Sequence, residues 1–241
     1  MHQQRQLKVL HKYGYASRIA KKKPFISEKN QKARLRFAKK YKNWKVNNWK
    51  KVLWSDESMF TLRSKLPKRI WRLSSERFDA DCMVGSVKQD KRIMVWSCFC
   101  YDGVGLFHRV KGIMDKHVYH GILQRKMLRS AKMLFGNNEW LFMQDNDPKH
   151  KADKNMCYLA RKNVNILEWP AQSPDLNPIE NLWMILDKKV KERKCRNEDE
   201  LFRCLENAWN GIEKKSLEKL VSSMPNRCKM VIKNKGLPIK Y

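Results

Sequence analysis

Between residues 51 and 110, apolar residues occur in short runs rich in Val, Ile, Trp and Phe. The runs "KVLW", "RIWRL", "RIMVWSCFC" and "GLFHRV" are separated by polar or glycine-containing segments. Short apolar runs with this composition and these boundaries are typical of β-strands. We therefore predict that this part of the chain forms a meander of strands.

After residue 115 the hydrophobic pattern changes to the spacing of helices. Within "DKHVYHGILQRKMLRSAKMLF" the apolar residues recur on one face of an amphipathic helix. These residues are Val118, Ile122, Leu123, Met127 and Leu128. The strand-like "WLFMQDN", the helical "KADKNMCYLARK" and the strand-like "VNILEWP" then alternate, and a helical tail follows from Asn181 to the end. This alternation predicts an α/β fold, a mixed and partly parallel sheet flanked by helices.

Residues 1–50 differ from the rest of the chain in being basic, polar and helix-prone. They contain the lysine cluster "RIAKKKP", and apolar residues stand at helical spacing in "SEKNQKARLRFAKKYKNW". We therefore divide the chain into a basic helical arm, residues 1–50, and an α/β domain, residues 51–241.

The excess of basic over acidic residues indicates which class of molecule the protein binds. Lys and Arg number 53 against 24 Asp and Glu, so the formal net charge is +29. In a chain with 10% aromatic residues, which is expected to fold, this charge favours a polyanion such as nucleic acid. A merely lysine-rich surface is the alternative.

Cysteine usage and hydropathy indicate the compartment. The seven cysteines lack the paired spacing of a zinc site, so we expect reduced thiols in an intracellular protein. No run approaches the length of a membrane span, and we expect a soluble protein without a membrane partner.

Two acidic residues follow apolar runs directly. Asp56 comes after "KVLW" and Asp145 comes after "WLFMQ". If the two strands are parallel neighbours, both carboxylates emerge side by side at one edge of the sheet. Two adjacent negative charges favour a divalent cation between them. Asp147 precedes Pro148 and has the pattern of a helix N-cap, which leaves Asp145 available for the site.

A third acid lies in "SPDLNPIENLW". Asn177 and Glu180 fit a capping box, in which Glu180 only reaches back to the backbone N–H of Asn177. The same helix start also puts Glu180 in the first turn, where it can face the acid pair while Trp183 and Leu186 pack inward. Both interpretations remain open at this point.

Each acid alone has an ordinary explanation. Asp56 fits a turn and Asp145 fits a solvated strand end. Taken together with Glu180 in a strongly basic chain, they match the requirements of two-metal phosphoryl transfer, because hard cations prefer oxygen ligands.

Three blocks in this order also resemble a known family. "VLWSDES", "QDNDPKH" and "WPAQSPDLNPIENLW" are similar to the signature blocks of transposases of the mariner superfamily, Tc-type branch. The 34 residues between Asp145 and Glu180 match the spacing of that branch, and the likeness covers about residues 5 to 241.

The resemblance implies a ribonuclease H-like catalytic domain in which Asp56, Asp145 and Glu180 bind two Mg²⁺ ions, with Mn²⁺ as a substitute. It implies cleavage of DNA at transposon ends and joining of the freed 3′ hydroxyl to a TA target. The implied partners are double-stranded DNA, as transposon end and as target, and a second copy of the chain or a larger assembly. The implied location is the nucleus.

The resemblance also suggests which basic residues contact DNA. These are Lys149 and His150 in "DPKH", and Lys21, Lys22 and Lys23 in the lysine cluster. A solvated first helical turn explains Lys149 and His150 equally well, and a lysine run is often only a solvated basic face.

The chain departs from the family pattern at its N-terminus. The family carries two helix-turn-helix modules, whereas here only "QQRQLKVLHKYGY" is similar, to the last helix of the second module. We therefore expect a truncated transposase that binds DNA mainly through phosphates, since a lone recognition helix docks poorly. A non-catalytic, domesticated or decayed DNA-binding protein is the main alternative. A ribonuclease acting on RNA–DNA hybrids is a second one.

Overall fold

The structure is a computed structural model and describes residues 12–13, 26–62, 91–191 and 195–240 of the chain. The predicted strand "RIWRL" and the lysines at positions 21 to 23 lie outside these residues. No helix in the described ranges is both long enough and apolar enough to cross a membrane.

The described strands form one mixed sheet. They are β1 (Val52–Thr61), β2 (Arg92–Phe99), β3 (His108–Val110) and β4 (Leu141–Met143), in the order β3-β2-β1-β4. β1 pairs with β2 and β2 with β3 in antiparallel fashion, whereas β1 and β4 are parallel. The predicted mixed sheet is therefore confirmed, including the parallel pair that carries Asp56 and Asp145.

Helices cover the sheet on both faces. They are α1 (Glu28–Lys40), α2 (Val46–Trp49), α3 (Lys116–Ile122), α4 (Leu128–Phe135), α5 (Pro148–Lys151), α6 (Asp153–Arg161), α7 (Ile179–Lys191), α8 (Glu198–Asn210), α9 (Lys214–Ser222) and α10 (Met224–Lys233). A wide π-helical turn over Leu123–Met127 joins α3 to α4, so the helix predicted there is interrupted by that turn.

The alternation of side chains along β1 separates two hydrophobic cores. Val52 and Trp54 belong to the larger core, which includes residues of α1, α2 and α7 to α10. Leu53, between them, belongs to the smaller core formed with α3, α4 and α6. The larger core contains Phe37 of α1, so this part of the predicted arm packs against the domain. The division of the chain at residue 50 stays a prediction.

Two predicted strands are shorter than the sequence suggested. Of "GLFHRV" only His108–Val110 pairs with β2. "VNILEWP" makes one parallel bridge, Phe142 to Ile166, because β4 itself is three residues long and Pro170, which has no N–H to donate, leads the chain away.

A buried ion pair joins α1 to the loop that precedes α7. The Arg34 side chain is fully buried, and its Nη1 and Nη2 donate to Asp175 Oδ1 and Oδ2 at 2.7 and 2.6 Å. Arg34 Nε also donates to the carbonyl oxygen of Gly236 at 2.9 Å, and Asp175 Oδ2 accepts from the backbone N–H of Ile239 at 2.8 Å. One arginine and one aspartate thereby connect α1, the loop and the C-terminal segment.

Helix α10 holds the same loop from the other side. Arg227 Nη1 donates to the backbone carbonyl of Asp175 at 2.9 Å, and its Nη2 donates to Asn181 Oδ1 at 2.6 Å. The C-terminal segment also passes close to α1 at Gly236, which has a φ of +87°. A Cβ atom there would lie 2.3 Å from the backbone oxygen of Gln31, so only glycine fits without displacement.

We expect the substitution Asp175→Ala to destabilise the protein strongly. It would leave Arg34 as a buried charge without its carboxylate, a change that costs about 3–5 kcal/mol in other proteins. Denaturant unfolding at neutral pH measures the loss. Asp102→Ala is the matched control, since it breaks an exposed ion pair with Lys214 and should change stability little. Equal losses for the two variants would contradict the role of the buried pair.

Candidate active site

Asp56 and Asp145 are brought together by the parallel register of β1 and β4. Trp54 is paired with Met143, so the two aspartates stand two residues further along in each chain segment. Ser55 Oγ donates to the carbonyl oxygen of Met143 at 2.8 Å and fixes the segments where the pairing ends. The predicted side-by-side arrangement therefore follows directly from the register.

One detail of the prediction is wrong. Asp56 does not end its strand, because β1 continues to Thr61. The continuation is stabilised by the antiparallel partner β2, in which Ser97 stands opposite Asp56. Asp56 thus projects from the middle of a ten-residue strand, just beyond the end of its short parallel neighbour.

Glu180 lies in the first turn of α7 and turns toward Asp56. The backbone N–H of Asn177 donates to the Pro174 carbonyl at 3.0 Å, so the reciprocal bond of a capping box goes to another acceptor. The carboxyl group of Glu180 instead lies near Asp56, and the two groups line the same cleft and influence each other's pKa. The interpretation in which Glu180 only caps its helix is therefore contradicted.

Trp183 fixes both α7 and Asp56. Its indole Nε1 donates to Asp56 Oδ2 at 3.4 Å, and its ring stacks on Trp209 with centroids 5.0 Å apart. Trp183 and Leu186 are buried, which confirms the predicted inward packing of this helix. Trp183 thus links the aromatic core directly to the Asp56 carboxylate.

The three carboxyl groups line a cleft of about 270 Å³. Its remaining walls come from Asn146 and Asp147, from the loop between Trp169 and Pro174, and from Asn177. The Asn146 side chain donates to the Trp169 carbonyl at 2.7 Å and so links the two sides of the opening.

Burial and mutual repulsion dominate the electrostatics of the acids. Burial raises the pKa of Asp56 well above its usual range, and the charges of Glu180, Glu57 and Asp145 raise it further. Burial also raises the pKa of Glu180, and the charge of Asp145 adds to the effect. Without a cation, the Asp56 and Glu180 pair therefore retains a proton that two ordinary carboxylates would lose near pH 4.

Asp145 is held by groups on its other side. Its Oδ1 accepts from the backbone N–H of Asp147 at 3.0 Å and lies 2.6 Å from Nδ1 of His150. The second contact is an ion pair in which the oxygen lies off the ring N–H direction, so the ring nitrogen makes no formed hydrogen bond. Burial works to raise the pKa of Asp145, but His150 and the Asp147 N–H outweigh it and lower the pKa.

His150 is buried, with 3% of its surface exposed. Its Nε2 lies 3.0 Å from Glu57 Oε1, and its ring packs on Tyr119 with centroids 4.0 Å apart. Burial works to lower the pKa of His150, but Asp145 and Glu57 reverse the effect and raise it to about 9. The predicted DNA contact of His150 is wrong, because the ring is enclosed by Tyr119 and two carboxylates.

The other residues of the "QDNDPKH" block have separate roles. Asp147 caps α5, accepting from the backbone N–H of Lys149 at 3.0 Å, which confirms the prediction. The Lys149 ammonium group lies 2.6 Å from the second oxygen of Asp147. A DNA contact by Lys149 stays a prediction, and those of Lys21, Lys22 and Lys23 fall outside the described residues.

The donor set of the cleft suits a hard divalent cation. All three groups offer carboxylate oxygens, which are the ligands that Mg²⁺ and Mn²⁺ prefer. Within the described ranges, no three acidic, histidine or cysteine side chains already converge on one metal position. Asp56 and Glu180 have raised pKa values while Asp145 contacts His150, so a bound cation would displace a proton from the acids.

Glu57 also lies beside the site, against His150, and was not predicted from the sequence. Its signal was nevertheless present in "WSDES", because adjacent residues of a strand point to opposite faces. An acid next to Asp56 must therefore face the second core, where an apolar residue would normally lie.

Comparison with known protein families agrees with this geometry. Residues 51–202 match the model of the DDE superfamily endonuclease, and residues 7–43 match a transposase helix-turn-helix model. The fold and the acidic cleft thus define a DDE superfamily endonuclease domain. Curated relatives specify it further, and the chain belongs to the Tc1/mariner-type transposases.

Two of these relatives are nematode proteins. The chain is 40% identical over 230 residues to the transposable element Tcb1 transposase of Caenorhabditis briggsae, covering 95% of the chain and 84% of that protein. It is 39% identical to the Tc1 transposase of Caenorhabditis elegans over 234 residues, covering 96% and 85%. The predicted family is therefore confirmed, together with its function in DNA transposition.

Solved structures confirm the fold. The Mos1 transposase, in a paired-end complex with the left transposon end, superposes with a TM-score of 0.85 at 17% identity and covers 99% of this chain and 72% of its own. The catalytic domain of the Mos1 mariner transposase superposes with a TM-score of 0.71 at 16% identity, covering 91% of this chain and 100% of its own. The ribonuclease H-like fold predicted for the chain is that of these proteins.

Because burial and the neighbouring acids raise the pKa of Asp56, we expect Asp56→Asn to stabilise the protein at neutral pH in the presence of a chelator. A raised pKa in the folded state means that the unfolded chain loses its proton first as the pH rises. The stability of the unmodified protein should therefore fall from about pH 4 upward, and that of the variant should fall less. A gain of about 1 kcal/mol would raise the Tm at pH 7 by about 2–4 °C.

Thermal unfolding in a chelator at pH 4 and pH 7 measures this difference. Asp153→Asn, an exposed acid on α6, controls for loss of one negative charge. A difference between Asp56→Asn and the unmodified protein that is the same at both pH values would contradict the assignment.

Proposed function

We propose that Asp56, Asp145 and Glu180 are the catalytic carboxylates of this transposase and that they hold two Mg²⁺ ions, for which Mn²⁺ can substitute. The observation that carries the proposal is the convergence on one cleft of two carboxylates set by strand register and a third set by a helix start. Their mutual repulsion supports it, because only a proton or a cation can relieve it. Mos1 structures with Mn and with Mg are known.

The chain's own groups determine what the cleft does to DNA. Asp56 and Glu180, whose pKa values are raised, would be deprotonated on metal binding and offer ligand oxygens, while the Trp183 indole keeps Asp56 oriented. The bound metal ions supply activation of the attacking hydroxyl and stabilisation of the leaving oxygen. At a transposon end, water would attack the phosphorus of a phosphodiester, and the P–O3′ bond would break to give a 3′ hydroxyl and a 5′ phosphate. The 3′ hydroxyl would then lose its proton and attack a phosphorus atom of the target DNA, displacing the 3′ oxygen of the target strand as a new hydroxyl.

We propose double-stranded DNA, as transposon end and as target, as the partner. The net charge of +29 supports attraction to the phosphate backbone. Pairing two ends requires two acidic clefts, and the described part of the chain contributes one, so we propose a homodimer or a larger assembly on DNA. We also propose the nucleus as its location, since the proposed substrate is chromosomal DNA.

We expect the purified chain to nick supercoiled plasmid DNA when Mn²⁺ or Mg²⁺ is present. Asp145→Asn should reduce the rate by at least about 10²-fold, because losing a metal ligand removes several kcal/mol of transition-state stabilisation. Gel separation of supercoiled and nicked plasmid over time measures the rate.

The exposed acid Asp153, on α6 outside the cleft, provides the control variant Asp153→Asn. Metal-dependent nicking that persists in Asp145→Asn would contradict the triad. Binding to DNA without any nicking by the unmodified chain would favour the non-catalytic alternative.

We also expect the chain to bind DNA mainly through phosphates. If six to ten phosphate contacts form, affinity should fall by about 10³–10⁵ between 50 and 200 mM salt. Fluorescence anisotropy with duplexes that carry an inverted-repeat end or its scrambled sequence measures both the slope and the preference. A large preference for the repeat duplex would show that selective recognition is retained.

A further inference from the structure

Strand β1 carries two adjacent acids that point to opposite faces of the sheet. Asp56 faces α7, where it accepts from Trp183. Glu57 faces the second core, where its Oε1 lies 3.0 Å from Nε2 of His150. Only 13% of the Glu57 side chain is exposed, so this acid is a poor candidate for a solvated surface group.

His150 bridges this second acid to Asp145. Its Nε2 faces Glu57 and its Nδ1 lies 2.6 Å from Asp145 Oδ1. The ring thereby connects the middle of β1 to the residue that follows β4, behind the cleft. Among the described contacts of Asp145, the His150 nitrogen and the Asp147 N–H both go to Oδ1, which leaves Oδ2 for a cation.

The surroundings hold the imidazole rigidly. Tyr119 packs on one side of the ring, and its hydroxyl donates to Gln144 Oε1 at 2.7 Å. The buried Asn155 side chain donates to the carbonyl oxygen of Lys149 at 2.8 Å, which fixes the backbone next to His150. The His150 ring is therefore fixed by Tyr119, by Glu57 and by Asp145.

We propose that Glu57 and His150 form a positioning pair that holds the Asp145 carboxylate at a fixed place relative to Asp56. The assignment rests on the proposed role of Asp145 as a metal ligand. Glu57 holds the ring through its contact with Nε2, and the ring holds Asp145 through the ion pair at Nδ1. Groups that orient a metal ligand in this way commonly contribute 10- to 100-fold to metal affinity.

Mn²⁺ titration calorimetry on the folded chain tests the pair. Glu57→Ala and His150→Gln should each weaken Mn²⁺ binding by about 10- to 100-fold, since a single amide end cannot bridge both carboxylates. The double variant should bind no more weakly than His150→Gln alone, because both residues act through one ring. Glu57→Gln keeps an acceptor oxygen for Nε2 and should recover part of the affinity.

Asp153→Asn is the control. It removes one negative charge at an exposed position of α6 outside the cleft and away from the pair, so Mn²⁺ affinity should stay unchanged. Circular dichroism and Tm establish that each variant is folded at the temperature of the titration. If Glu57→Ala does not fold, His150→Gln is judged by the same criterion.

Asp145→Asn in the same titration separates the two assignments. Weakened binding by Asp145→Asn with unchanged binding by Glu57→Ala or His150→Gln would overturn the positioning pair alone. Additive losses in the double variant would also overturn it. If Asp145→Asn binds Mn²⁺ as well as the unmodified chain does, the proposed metal site fails, and the pair fails with it.

Discussion

The buried ion pair between Arg34 and Asp175 is the contact on which the position of Glu180 depends. Asp175 stands five positions before Glu180, and α7 begins between them. Because Arg34 has no exposed surface, its charge would be buried without compensation if this carboxylate were absent. The position of the third carboxylate therefore depends on the packing of the loop against α1 and the C-terminal segment.

The strand β1 imposes the second constraint, because its alternation assigns each acid to a core. Asp56 points toward the aromatic packing around Trp183, and Glu57 points toward His150. Asp56 and Glu57 are adjacent residues of one extended strand, so a displacement of either residue would also move the other. The repulsion among the acids works against the folded chain, and the rigid aromatic core that includes Trp54 and Trp209 stabilises the fold that keeps them close.

The sequence predicts local features well and distant ones poorly. The Asp147 cap, the start of α7 and the inward packing of Trp183 follow from patterns within a few residues, and the structure confirms them. The length of β1 depends on β2, so the pattern around Asp56 alone suggested a strand end. Glu57, one of the two carboxylate partners of His150, lies 93 residues away, and Asp175 lies 141 residues from Arg34, so no local pattern could predict either contact.

The "QDNDPKH" block shows why the error at His150 arose. A lysine and a histidine in a first helical turn normally face solvent, and the sequence shows nothing of Tyr119 or Glu57 around the ring. Within the block, Asp145 lines the cleft, Asp147 caps α5, and His150 contacts Asp145 from the side away from the cleft. The cap at Asp147 fixes the start of α5 and thereby the number of residues between Asp145 and His150. One residue inserted between Asp147 and His150 would rotate His150 away and leave Asp145 in place. The contact between His150 and Asp145 therefore depends on the spacing of the block, as the position of Asp145 in the cleft does.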